Sequence, residues 1–187
     1  MNTRCRKILL LLAFWGCFCR SSIIGQTDTE NHDVTFTIPT ISLVDVEPAT
    51  GSITLSLTPP SDAGQALSAS SVDQSKWLNY TVSLSPTAAQ QLITAQITAG
   101  SLPDGLALQL SASNYSGVGS GQLGTPQGSI QLTNLAQPLI GNIGGSFTGN
   151  GVANGHQLTY SLVITDYASL QITQSGTVEV TYTITEQ

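Results

Sequence analysis

The stretch Thr177-Val178-Glu179-Val180-Thr181-Tyr182-Thr183-Ile184 decides the fold class. Val178, Val180, Tyr182 and Ile184 fall on one side of an extended chain, and Thr177, Glu179, Thr181 and Thr183 fall on the other. That period of two gives a strand with one buried and one wet face, the pattern of antiparallel sheets. Apart from Glu179 every residue in it is β-branched or aromatic, the types that pack well on a pleated surface.

The same idiom recurs back along the chain. Residues 34–38 place Val34, Phe36 and Ile38 on one face, and 41–46 resume as strand after Pro39. Residues 52–58 alternate through Ile53, Leu55 and Leu57 until Pro59-Pro60, and a loop rich in Ser, Ala, Asp and Gly covers 61–75. In 77–84, Leu78, Tyr80, Val82 and Leu84 oppose Trp77, Asn79, Thr81 and Ser83. Residues 92–98, 106–112, 129–133, 157–165, 170–173 and 177–183 complete the series, with Asn154-Gly155 as a two-residue hairpin turn. About nine or ten short strands and almost no helix predict an all-β protein, an antiparallel two-sheet sandwich of the Ig-like or pilin-like kind. No linker or charge run divides 34–187, so it reads as a single β-sandwich domain behind a loose polar lead at 26–33.

The first 25 residues read differently. Arg4, Arg6 and Lys7 precede an apolar run over 8–18, too short for a bilayer span and suited to a signal peptide cut after Gly25. The product is then secreted or displayed at the cell surface, without a transmembrane helix. Cys5, Cys17 and Cys19 leave with the signal, so no disulfide staples the mature chain. A lipid anchor at Cys17 is the secondary reading, disfavoured by Phe14 and Trp15 in the positions before it. Cleavage also removes every basic residue except Lys76, and one lysine against eleven acidic side chains gives a mature net charge of −10. Such a surface cannot neutralise a phosphate backbone, which excludes nucleic acid as a partner and disfavours anionic membranes.

Chemistry-bearing motifs are weak. Gly119-Ser120-Gly121-Gln122-Leu123-Gly124 matches the dinucleotide-binding spacing, but Thr125-Pro126 follows where that motif needs a helix. It reads as a glycine-rich loop between strands. The two histidines are His32 in the lead and His156 beside the expected turn, where it should face solvent. With no Gly-x-Ser-x-Gly elbow, no catalytic residue is assigned, and a secreted hydrolase ranks last among the functions. Neither Asp28, Glu30 and Asp33 nor Asp45 and Glu47 have calcium-loop spacing, and zinc lacks ligands. No metal or cofactor is expected. Two aromatic side chains, Trp77 and Tyr115, are candidates for contact with a glycan or protein ligand, which makes a secreted carbohydrate- or protein-binding module the alternative function. Packing over a strand edge and over the adjoining core is their competing role.

The alternating strand at Val34, Phe36 and Ile38, the Gly-Asn-Gly loops between Phe147 and Gly155, and the closing strand at 177–184 together resemble pilin-like and spore-coat-U-like secreted subunits, in the style of small Bacteroidota surface proteins. Members of the spore-coat-U group commonly carry a disulfide, whereas this mature chain has no cysteine. The resemblance implies a structural or adhesive role, as subunit of a pilus, coat or other surface appendage. It also points to sheet edges, with residues 34–38 as an assembly strand, as the route to partner subunits.

Overall fold

The computed structural model describes residues 29–69, 72–87, 90–171 and 175–187. The expected signal segment, Cys17 and the cut after Gly25 lie outside them. Contacts divide the chain into two units, 1–37 and 38–187. In the first, residues 29–37 form neither helix nor strand and are exposed.

The second unit is all-β and antiparallel. Among the described residues eleven strands are formed: β1 Ile41–Glu47, β2 Leu57–Thr58, β3 Ser68–Ala69, β4 Val72–Ser83, β5 Gln91–Gly100, β6 Leu106–Ala112, β7 Ser120–Pro126, β8 Ile130–Gln131, β9 Gln137–Phe147, β10 His156–Ile164 and β11 Val178–Glu186. Between β10 and β11 a 3-10 turn at Tyr167–Ser169 is capped by Asp166, which accepts from the Ala168 N–H. Nine strands belong to one hydrogen-bonded sheet, ordered β11-β5-β9-β4-β10-β6-β8 with β1 also on β4 and β7 also on β9, while β2 and β3 pair separately. Among the described residues no helix is long and apolar enough to cross a membrane.

Two long strands make that connectivity possible. One edge of β4 pairs with β1 throughout Trp77–Ser83; its other edge pairs first with β10 and then, at Thr81 and Val82, with β9. β9 runs along β5 from Gln137 to Ile143 and then along β4 at Ser146 and Phe147. Just before β9, Thr133 O accepts from the Ile97 N–H at 2.7 Å, so the chain leaving β6's neighbour β8 is already bonded to β5.

The core follows the alternation. Leu78, Tyr80 and Val82 of β4 pack with Ile93 and Ala95 of β5, Leu108 and Leu110 of β6, Leu139, Ile140 and Ile143 of β9, and Leu158 and Tyr160 of β10. Leu78, Ile93, Leu110, Leu139, Ile140, Ile143 and Leu158 are wholly inaccessible, and each contributes about 1.5–3 kcal/mol of transfer free energy. Val178, Val180, Tyr182 and Ile184 pack partly buried against this cluster, on the face their spacing predicts.

Several expectations are corrected. Residues 34–38 form no strand, and of 52–58 only Leu57–Thr58 does, although Ile53 and Leu55 still pack on the core. The glycine-rich 119–124 segment is not a loop: most of it is β7, bonded to β9. Glycine suits that strand because a Cβ on Gly121 would stand 2.2 Å from the Gly145 carbonyl oxygen. β9, with Gly141, Gly144 and Gly145 inside it, lies where no strand was expected. Asn154-Gly155 is not a two-residue hairpin turn. The β9–β10 connection spans 148–155, Gly155 bridges to Ser116, and both strands lie along the same edge of β4. Residues 170 and 171 form no strand, and 172–174 lie outside the described residues.

Candidate functional site

Among the described residues four strands of the large sheet, β1, β7, β8 and β11, carry one ladder each. Among the described residues β1 pairs only with β4 and β11 only with β5, and no ladder joins β1 to β11. These strands approach each other near Gln91, whose amide exchanges hydrogen bonds with the Ser42 hydroxyl at 2.9 and 3.1 Å. At the same end the Gln187 N–H donates to Gln90 O at 3.0 Å. Outward main-chain donors and acceptors on such edges are templates for a further strand. The charged side chains on them, Asp45 and Glu47 on β1 and Glu179 and Glu186 on β11, are all acidic.

Of the expected site residues, Val34, Phe36 and Ile38 are 61%, 84% and 87% exposed. Their alternation is thus unused within the described structure, and the segment carries no charge between Asp33 and Pro39. Trp77 is half-buried on the outer face of β4, opposite Glu47 of β1 and Gln157 of β10. Tyr115 is half-buried with its hydroxyl committed: it accepts from the Gly119 N–H and donates to Thr148 O at 3.2 Å. These two aromatics are not brought into one site.

His156, expected in solvent, is wholly buried at the head of β10. Its Nδ1 stands 2.8 Å from Ser113 O, and its Nε2 stands 3.0 Å from the Tyr80 hydroxyl and 3.2 Å from Leu123 O. The Tyr80 hydroxyl also donates to Leu123 O. A carbonyl at 2.8 Å tolerates no facing lone pair, which places the neutral ring's hydrogen on Nδ1 and leaves Nε2 an acceptor that competes with Leu123 O for the single Tyr80 phenol hydrogen. The Tyr80 ring stacks on the imidazole at 5.8 Å, and Tyr115 meets it edge-on at 6.1 Å. Burial pushes the His156 pKa below the usual histidine range, against the opposing pull of the Ser113 and Leu123 carbonyls. Burial likewise raises the Tyr80 phenol above its ordinary range. Nδ1 donates to Ser113 O and Nε2 faces the Tyr80 phenol, so the cluster ties the 113–116 loop to β10 and β4. Aromatic residues around a turn histidine could have suggested burial, but only the tertiary pairing of 113–116 with 155–157 brings Tyr115 and Ser113 to it.

No three His, Cys, Asp or Glu side chains converge as metal ligands among the described residues. Compared with known protein families, with curated proteins and with solved structures, the chain matches none.

Proposed function

We propose that the protein is an exported structural or adhesive surface subunit that assembles through its sheet edges, with residues 34–38 of one copy adding a strand to another. One observation carries this: an uncharged alternating segment, with Val34, Phe36 and Ile38 exposed, in a chain whose sheet has unused edges at β1 and β11. Five extended residues span about 17 Å, enough to lie along most of β1. Burying three such side chains contributes about 1.5–3 kcal/mol each, which offsets ordering five residues at about 1–2 kcal/mol each only when main-chain pairing is added. The N-terminal basic-then-apolar segment supports export, and the absence of cysteine after Cys19 fits a fold that needs no staple.

The reading takes the nine-stranded sheet as two facing layers, β8-β6-β10-β4-β1 and β11-β5-β9-β7, with β9 passing between them. Support comes from the single core cluster to which β4, β6 and β10 contribute alongside β5 and β9. Light scattering after size exclusion tests the assembly. Wild-type protein is expected to run as oligomers, and Phe36→Asp as a monomer with an unchanged far-ultraviolet spectrum. A wild type that stays monomeric at about 100 μM, well above micromolar dissociation constants, would overturn it.

A further inference from the structure

A concave recess of about 350 Å³ lies on the outer face of the sheet where β1, β4 and β9 meet, lined among others by Leu43, Asp45, Asn79, Thr81, Phe147 and Asn150. Strand register builds it in two rows. Leu43 of β1 stands opposite Thr81 of β4, which stands opposite Phe147 of β9, giving a cross-strand row of apolar and methyl surface. Leu43 is 65% and Phe147 46% exposed. One pleat further along, Asp45 stands opposite Asn79, and the loop after β9 brings Asn150 beside them. The recess therefore presents an aromatic and aliphatic strip next to the Asp45 carboxylate and Asn150, with Asn79 buried beside them.

The polar row is held in place before any ligand arrives. Asn79 accepts from the Gly151 N–H at 2.7 Å and donates to Asn154 O at 2.5 Å, and the Asn154 amide reaches back to Asn150 O at 2.8 Å. Gly149 and Gly151, at φ of 84° and 88°, give the loop a backbone that a side chain would oppose. Asp45 accepts from the Val46 N–H at 2.8 Å, which fixes the carboxylate's orientation on the strand.

We infer that this recess binds a neutral hexopyranose unit of a glycan. A pyranose has an apolar face of axial C–H groups, which packs on an aromatic ring such as Phe147, and a rim of vicinal hydroxyls. Those hydroxyls pair with planar carboxylate and amide groups, here Asp45 and Asn150. The volume sits at the lower end of the ordinary ligand range of about 300–1,000 Å³, which fits one sugar ring. Asp45, with no basic side chain among the lining residues and a mature net charge of −10, rejects sialic and uronic acids. The inference does not depend on self-assembly, because every lining residue belongs to one chain.

The test is a glycan array carrying neutral and acidic oligosaccharides, probed with wild-type protein and with Phe36→Asp protein, so that failure of assembly and failure of binding are read apart. Methyl glycosides of glucose, galactose and mannose are then titrated while amide shifts are followed. Neutral hexose spots should bind and acidic ones should not, with a Kd for one methyl glycoside of about 0.1–10 mM and shifts at Leu43, Thr81, Gly149 and Asn150. Phe147→Ala should weaken binding at least about tenfold, Phe147→Tyr should keep it within about threefold, and Trp77→Ala and Tyr115→Phe should leave it unchanged. The amide mapping on wild-type protein keeps the test decisive should Phe147→Ala fail to fold. Silence on the array together with no shifts in the titration, binding of acidic glycans alone, or shifts centred on Trp77 would each overturn the inference.

Discussion

His156 sets an acid limit on the fold. The imidazole is wholly buried and neutral, between Ser113 O, Leu123 O and the Tyr80 hydroxyl. Its pKa lies below the ordinary histidine value in the folded chain, while the unfolded chain titrates at about 6.5. At pH below about 6.5 the unfolded state therefore binds the extra proton, so stability rises with pH there. This contribution is fully present above about pH 6.5 and is lost as pH falls toward the depressed folded value. The slope from one such group is limited to about 1.4 kcal/mol per pH unit. Urea unfolding of the wild type at pH 7.5, 6.5 and 5.5 should show the midpoint moving down at the lowest pH. His156→Gln has no titrating ring and should show a flat profile over that window. His156→Ala should cost about 2–4 kcal/mol at pH 7.5, from a cavity and an unpaired Ser113 carbonyl, or roughly 5–15 °C in Tm for a domain of this size. A His156→Gln profile as steep as the wild type's would refute the reasoning, since the titrating group would then lie elsewhere.

Further outcomes follow from backbone crowding and from Lys76, the one basic residue after Arg20. Gly155→Ala should destabilise by at least about 3 kcal/mol, because the residue sits at φ 86° and its Cβ would stand 2.1 Å from the Leu78 carbonyl oxygen; thermal unfolding against the open-space control Gly128→Ala reads the difference. Lys76 is 8% exposed, and its Nζ donates to Pro48 O at 2.6 Å and Thr50 O at 2.9 Å, so Lys76→Met should cost about 1–3 kcal/mol by orphaning both carbonyls. As the one trypsin target after Arg20, Lys76 should also be cut in the wild type only through unfolding, at a rate that tracks urea concentration.

Alternation made the core legible because it depends on local chemistry alone. Leu78, Tyr80 and Val82 point inward, as their spacing requires, and Val178 to Ile184 follow the same rule. β6 at Leu106–Ala112 falls where the apolar periodicity puts it. What escaped is glycine-rich pairing. Glycines interrupt the alternation of β7 and β9, and in their ladder Gly121 lets the backbones approach within a distance a Cβ forbids, while Gly144 leaves room for the Gln122 side chain. Residues 34–38 escaped in the opposite sense, since their alternation is clear and Val34, Phe36 and Ile38 are nevertheless exposed.

The buried polar groups escaped for a reason that also explains how residues 38–187, which carry no cysteine, hold their loops. Lys76 lies on a strand yet sends its ammonium to the carbonyls of the turn after β1. Asn79, expected on the wet face, is 4% exposed and bonds the β9–β10 connection at two points, Gly151 and Asn154. Thr148 bonds Tyr80 through both its hydroxyl and its N–H, and His156 joins the 113–116 loop to β10 and β4. No described buried side-chain polar atom is left without a partner, so each of these groups avoids the roughly 1–3 kcal/mol cost of an unsatisfied site. Each therefore fixes a loop to a strand, a constraint of the kind a disulfide supplies in other folds. Such groups look like surface residues in sequence because their partners are backbone carbonyls, which carry no residue identity to read. The same network immobilises Asn79 and the 149–151 turn, and so the recess above Phe147 takes its shape from the bonds that close the fold.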